Sequence, residues 1–65
     1  MSEVKKISLS RDELEVLKLC DLDDFTQEEA GSLMGISRGT VQRVLAAARK
    51  KVAEALSKGK AIVFE

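Results

Sequence analysis

The sequence of 65 residues has no histidine, proline, tryptophan or tyrosine, and it has a single cysteine. Without histidine, neither Ser37 nor Thr40 has an evident base to activate it as a nucleophile. The lone Cys20 cannot form an internal disulfide, and it excludes a zinc site built from several cysteines. No apolar run is long enough for a signal peptide or a membrane span. These absences predict a cytoplasmic protein that is not an enzyme and holds no metal or cofactor.

The composition favours a compact helical protein, because 45% of the residues are hydrophobic and 34% are charged. A chain of this length forms one domain at most, which we place over residues 1–65. Such a small domain buries only about 60% of the surface that its unfolded chain exposes, so its core is marginal. Oligomerisation would add buried area.

The net charge of zero hides a marked asymmetry along the chain. Residues 1–31 carry four basic and nine acidic side chains, a net charge of −5, whereas residues 32–65 carry seven basic and two acidic ones, a net charge of +5. An acidic partner such as nucleic acid would bind the second half. Part of the asymmetry also follows from the preference of acidic residues for helix starts and basic residues for helix ends.

Two capping boxes mark helix starts. Ser10 with Glu13 begins a first helix, for which the spacing of apolar residues predicts an inward stripe of Leu14, Leu17 and Cys20. An acidic connection at residues 21–24 follows.

Thr26 with Glu29 begins a second helix. Its apolar residues at helical spacing are Ala30, Leu33 and Met34. Gly35 is placed to end this helix in the left-handed conformation, and Ser37 to cap the next one. Two short helices joined by a tight turn, the second one basic, are typical of a DNA-binding helix-turn-helix.

The third helix is predicted from Arg38 to about Ser57, with Gly59 ending it. At 100° per residue, its apolar residues share one arc that faces the core. They are Val41, Val44, Leu45, Ala48, Val52 and Ala55.

The opposite face of the third helix is basic and slim. Gly39 and Ala46 would let its backbone enter a groove, where Gln42 can pair with adenine and Arg43 with guanine. The remaining candidate contacts to DNA, mainly to phosphates, are Ser37, Arg38, Thr40, Arg49, Lys50 and Lys51. The competing interpretation is an ordinary solvated face.

Strand-like segments stand near both ends of the chain. Residues 3–8 are β-branched and partly alternating, and residues 61–64 are apolar with β propensity. We expect these terminal strands to pair, either within one chain or between two chains, and to make a homodimer that reads an inverted repeat.

The chain closely resembles a family of small prokaryotic predicted DNA-binding proteins whose helix-turn-helix is similar to region 4 of sigma factors. The motifs that carry the resemblance are D-E-L-E at 12–15, Q-E-E-A at 27–30, M-G-I-S-R at 34–38, A-R-K-K-V-A-E-A-L at 48–56 and G-K-A at 59–61. It implies an all-α fold of three helices with short terminal strands, and binding to double-stranded DNA. The chain departs from that motif at Gly31, where alanine is usual, and it lacks the cysteine-containing N-terminal extension that members often carry.

The sequence therefore predicts a sequence-specific DNA-binding regulator of transcription. The alternative is a protein-interaction module that contacts RNA polymerase or another regulator through its acidic half, with little DNA affinity of its own.

Overall fold

Three helices and two short strands make up the fold, and the computed structural model describes residues 4–65. In chain order the elements are β1 (Lys6–Leu9), α1 (Arg11–Leu17), a π-helical turn that continues α1 (Lys18–Leu22), α2 (Gln27–Met34), α3 (Arg38–Lys58) and β2 (Ala61–Phe64). The protein is thus mostly helical, and α3, with 21 residues, is its longest element.

The predicted capping boxes are confirmed at both helix starts. Ser10 Oγ accepts the Glu13 N–H at 3.2 Å, and the Glu13 carboxylate accepts the Ser10 N–H at 2.9 Å. Thr26 and Glu29 repeat the arrangement at 3.1 and 2.9 Å. The ends predicted at Gly35 and Gly59 are confirmed as well, since both glycines have left-handed backbone conformations. Local chemistry therefore sets the boundaries of α2 and α3.

The predicted inward stripe of α1 is wrong at Leu14, which is 41% exposed. The side chains that α1 and its π-helical turn bury are instead Glu13, Val16 and Leu19. Glu13 faces inward because its carboxylate accepts a hydrogen bond from Lys51 of α3, and this contact fixes the orientation of the helix. Leu17 and Cys20 are half-buried against the edge of the core.

Residues 21–24 are not wholly a connection, because Asp21 lies inside the π-helical turn. That turn is closed by the hydrogen bond from the Asp23 N–H to the Lys18 carbonyl, 2.9 Å long. The remaining link to α2 contains Asp24, whose φ of +63° is left-handed. Aspartate tolerates this conformation better than most residues do.

The core lies between α1, α2 and α3. Of the predicted core stripe of α3, Val44 and Val52 are only half-buried. In α2, Leu33 is 62% exposed although it stands at helical spacing from Ala30. Met34, by contrast, packs at the edge of the core. The central buried residues are Val16, Leu19, Ala30, Val41 and Leu45.

The terminal strands pair with each other within the chain. They run parallel, with Lys6 beside Ala61 and Leu9 beside Phe64. The sequence predicts the first strand at residues 3–8, and the structure has it at Lys6–Leu9; residue 3 lies outside the described residues. The strand pair packs mainly through Leu9, which is buried. The sheet thus brings the two ends of the described chain together beside α3.

Candidate nucleic-acid interface

The three-residue turn between α2 and α3 fixes how the two helices meet. Gly35 has φ of +71°, which L side chains rarely adopt, and its N–H donates to the Gly31 carbonyl. The Ile36 N–H donates to the same carbonyl at 2.9 Å. Ser37 then caps α3 by accepting the Thr40 N–H at 3.2 Å. Every residue of the turn is therefore held by a backbone or capping contact.

Gly31 allows the turn to lie directly against α2. A Cβ atom at this position would be 2.7 Å from the Ile36 carbonyl oxygen and 3.4 Å from Val41 Cγ2 of α3. The first distance is shorter than real contacts allow. The departure from alanine at this position is therefore a requirement of the close packing between α2 and α3.

Nine of the ten candidate DNA-contacting residues lie on α3, and the tenth, Ser37, is the N-cap of that helix. Thr40 and Lys51 are half-buried, and the others are exposed. The exposed ones are Ser37, Arg38, Gly39, Gln42, Arg43, Ala46, Arg49 and Lys50. The structure thus places the predicted residues along α3 and its N-cap, with Gly39, which has no side chain, and the small Ala46 among the longer polar residues.

Arg43 is oriented by its neighbours on the first turns of α3. Its Nη2 donates to Thr40 Oγ1 at 3.3 Å, and the Thr40 and Ser37 hydroxyls are hydrogen-bonded to each other at 3.0 Å. Only part of the guanidinium is used in this contact. Its remaining donors can therefore meet a planar pair of acceptors such as the major-groove edge of guanine.

The cations of this face divide into paired and unpaired groups. Within residues 4–65, Arg38, Arg43 and Lys50 make no ion pair. Arg49 makes a bidentate pair with Asp21, at 3.1 Å from Nε and 2.6 Å from Nη2. The Arg49 guanidinium lowers the pKa of the Asp21 carboxyl, so the pair stays charged at neutral pH.

Lys51 is turned toward the interior side of α3. Its Nζ lies 2.8 Å from Glu13 Oε1 and 2.9 Å from the Ser8 carbonyl oxygen. The ammonium group therefore holds β1 and α1 against α3. The sequence had placed Lys51 with the phosphate contacts because it could not show these partners, which are 38 and 43 residues away along the chain.

A polar crease separates the start of α2 from the start of α3. It has a volume of about 400 Å³ and is lined by Thr26, Gln27, Glu28 and Arg38. Arg38 favours an anion in this crease, whereas Glu28 opposes it. Sequence reasoning missed this neighbourhood because α2 begins at Gln27 and α3 at Arg38, eleven residues later, and the two helix starts meet only through the fold.

Cys20 stands apart from this face. Burial raises the pKa of its thiol, and the neighbouring Asp21 raises it further. A thiol of this kind has little reactive thiolate at neutral pH. The prediction that Cys20 serves packing agrees with its place at the edge of the core.

None of the helices in residues 4–65 combines the length and apolar character that a membrane crossing requires.

A family model described as "Protein of unknown function DUF134" matches residues 1–65. The UPF0251 protein of Halothermothrix orenii is 49% identical over 63 residues, which cover 97% of this chain and 47% of that protein. The UPF0251 protein of Pyrococcus horikoshii is 53% identical over 58 residues, 89% of this chain and 53% of that one. The UPF0251 protein of Aeromonas salmonicida is 42% identical over 65 residues, which cover 100% of this chain and 64% of that protein. The chain thus spans about half to two thirds of the length of these relatives. No solved structure matches the sequence.

Proposed function

The chain belongs to the family of unknown function DUF134, and we propose that it binds double-stranded DNA sequence-specifically as a regulator of transcription. In this proposal α2, the turn and α3 form a helix-turn-helix similar to region 4 of sigma factors. The first two turns of α3 enter the major groove, and α2 lies across its entrance.

The observation that carries the proposal is the free basic face at the start of α3. Arg38 and Arg43 are exposed and make no ion pair within residues 4–65, although the first half of the chain is rich in carboxylates. The helix that bears them is held against α2 by the close contact at Gly31. A fixed helix with unpaired guanidinium groups and small neighbouring side chains suits insertion into a groove lined by phosphates.

Individual residues take different roles in the proposal. Gln42 and Arg43 read base edges, with Thr40 orienting Arg43. Arg38 and Lys50 contact phosphates, with Ser37 near the backbone at the start of α3. Arg49 reaches a phosphate only by leaving Asp21, and Lys51 is left out because its ammonium group is already bound by Glu13 and Ser8.

The first test is binding to a labelled pool of random-sequence duplex DNA, measured by fluorescence anisotropy at several salt concentrations and followed by sequencing of the retained DNA. We expect affinity to fall steeply with salt and one sequence to be enriched. Failure to bind at low salt, with circular dichroism showing a folded helical protein, would contradict the proposal.

Arg43→Ala tests the assigned base contact on the selected sequence. Loss of a bidentate contact costs about 1–3 kcal/mol of discrimination, so the preference for one base pair should relax by roughly 5- to 150-fold. The matched control is Arg11→Ala, which removes another exposed arginine, at the start of α1. Arg11→Ala should leave the base-pair preference unchanged. An equal effect of both substitutions would show that Arg43 does not contact the bases.

A second candidate function is docking to RNA polymerase or another regulator, and the outer surface of α1 favours it. Leu14 and Leu22, which is 73% exposed, border a groove of about 500 Å³ that also contacts Leu17. Acidic Glu15 and Asp21 line the same groove together with basic Lys18. A Leu22→Ser variant that stays folded but no longer binds RNA polymerase would support this second function, whereas a salt-sensitive complex with DNA would favour the first.

A further inference from the structure

The two edges of the terminal sheet differ in one respect. At the outer edge of β1, the Ser8 carbonyl accepts a hydrogen bond from Lys51 Nζ, 2.9 Å long. Lys51 belongs to α3, so a side chain of the domain itself occupies that edge. The outer edge of β2 has no such cover among residues 4–65, because the tertiary hydrogen bonds of β2 all go to β1.

The pairing pattern shows which backbone groups of β2 point away from β1. The Ala61 N–H donates to the Lys5 carbonyl at 2.8 Å, and the Glu65 N–H donates to the Leu9 carbonyl at 3.1 Å. Along a strand, backbone groups alternate between the two sides. The N–H and C=O groups of Ile62 and Phe64 therefore point outward, as a row ready to pair with another strand.

The side chains at this edge are apolar. Ile62 and Phe64 lie on the same face of the sheet as the buried Leu9, since register partners in a sheet share a face. Phe64 is nevertheless 63% exposed. The segment AIVF thus combines an open backbone edge with a largely exposed aromatic side chain.

We propose that β2 of a second copy of this chain pairs antiparallel with this edge, giving a four-stranded sheet in the order β1, β2, β2, β1. The outward groups select the register in which Ile62 of each copy faces Phe64 of the other. About four backbone hydrogen bonds join the copies. Two pairs of isoleucine with phenylalanine form on the inner face, an aromatic and β-branched combination that stabilises sheets. Val63 then faces Val63 of the second copy at the twofold axis.

Charges at the ends of the strand complement this register. Glu65 of one copy lies beside Ala61 of the other copy. Within that other copy, Lys6 of β1 is the register partner of Ala61, so Lys6 and Glu65 flank this alanine on the same face of the sheet. Alanine is too small to separate the two long side chains. Lys6 and Glu65 are both exposed and make no ion pair in the part of the chain that the structure describes. Each dimer therefore gains two exposed pairs of opposite charge.

The dimer should be weak, because strands of four residues bury far less than the roughly 1,200 Å² typical of stable complexes. Dissociation on the order of 0.1–1 mM is the expected range. Two copies bound to adjacent sites on one DNA molecule would be at a much higher effective concentration. The association itself needs no DNA, so its test is independent of the proposed function.

Sedimentation equilibrium up to about 1 mM protein tests the proposal. Val63→Lys and Val63→Glu each place like charges at the twofold axis, so each variant alone should remain monomeric. Their equimolar mixture should associate at least as well as the unsubstituted chain, because lysine then faces glutamate. Ser8→Lys is the matched control, because it adds the same charge to the same face of the sheet on β1. Two strands then separate the two lysines, so this variant should keep most of the association.

Three results would overturn the proposal. The first is a monomer throughout the concentration range, which would also be the result if another segment occupied the β2 edge. The second is association of Val63→Lys as strong as that of the unsubstituted chain, which would place the contact elsewhere. The third is a mixture of the two charged variants that remains monomeric while both variants are folded by circular dichroism.

Discussion

The Lys51 ammonium group lies between the Glu13 carboxylate, at 2.8 Å, and the Ser8 carbonyl oxygen, at 2.9 Å. One side chain of α3 thereby joins the first strand and the first helix. Glu13 is only 8% exposed, and its carboxylate also accepts the Ser10 N–H at the start of α1. The same carboxylate thus caps a helix and binds a cation from another one.

Replacing Glu13 by glutamine should separate these two roles. Glutamine keeps an acceptor for the Ser10 N–H but loses the charge that binds Lys51. We expect the free energy of unfolding to fall by about 1 kcal/mol. Lys51→Met, which keeps most of the apolar stem, should cost a similar amount. Urea unfolding of both single variants and the double variant measures the coupling, and strictly additive losses would show that the pair contributes nothing.

Stability should decrease when the pH falls below about 4.5. The Lys51 ammonium group, together with the Ser10 N–H, lowers the pKa of Glu13 from its usual value of 4.5. The Thr26 N–H likewise lowers the pKa of Glu29, and the Lys60 ammonium group lowers the pKa of Glu54. Each group binds a proton more readily in the unfolded chain, so acid favours unfolding, and the stabilisation is complete only above the usual pKa. Urea midpoints between pH 2 and 7 give the slope, which Glu13→Gln should reduce.

Two glycines of the interface should respond to alanine in opposite directions. Gly31→Ala should destabilise the protein by about 1–3 kcal/mol, because the new Cβ meets the Ile36 carbonyl oxygen at 2.7 Å and backbone cannot move aside easily. Gly39→Ala meets nothing within 4 Å and should stabilise α3 by about 0.5 kcal/mol. Thermal unfolding of both variants is the measurement. Equal changes would mean that α2 and the turn are less closely packed than the structure shows.

Releasing Arg49 from its carboxylate should strengthen DNA binding if the proposed interface is correct. Asp21→Asn removes the charge that holds Arg49 at 2.6 Å. The freed guanidinium can then bind a phosphate, and we expect affinity for any duplex to rise about 2- to 5-fold at low salt with a steeper salt dependence. Asp23→Asn is the matched control, because Asp23 pairs with Lys18 of the π-helical turn. A similar gain for both variants would reflect net charge alone.

Sequence reasoning identified the elements whose signals are local. Ser10, Thr26 and Ser37 each accept a backbone N–H from three residues ahead, so the chemistry that starts the helix is visible in a few letters. Gly35 and Gly59 end their helices for an equally local reason, the left-handed backbone. These signals predicted α2 and α3 closely. They also predicted that the candidate interface residues lie on α3 and its N-cap.

The errors arose where distant residues decide the outcome. Leu14 was expected inside, but the ion pair of Glu13 with Lys51 turns a carboxylate toward α3 and leaves Leu14 outside. The π-helical turn at Lys18–Leu22 also changes the periodicity on which the helical stripe was based. For the interface, the sequence could not distinguish Lys51 from Lys50, because their difference lies in partners contributed by other elements.

The parallel pairing of β1 with β2 also has a consequence for folding kinetics. Residues 10–60 separate the two strands, so their contact is the most distant one along the described chain, whereas α2 and α3 are joined by a turn of three residues. Contacts that close long loops form slowly, because the entropy of the loop must be lost first. We expect the helices to assemble before the strands meet. Substitutions in β2 should then accelerate unfolding and leave the refolding rate nearly unchanged.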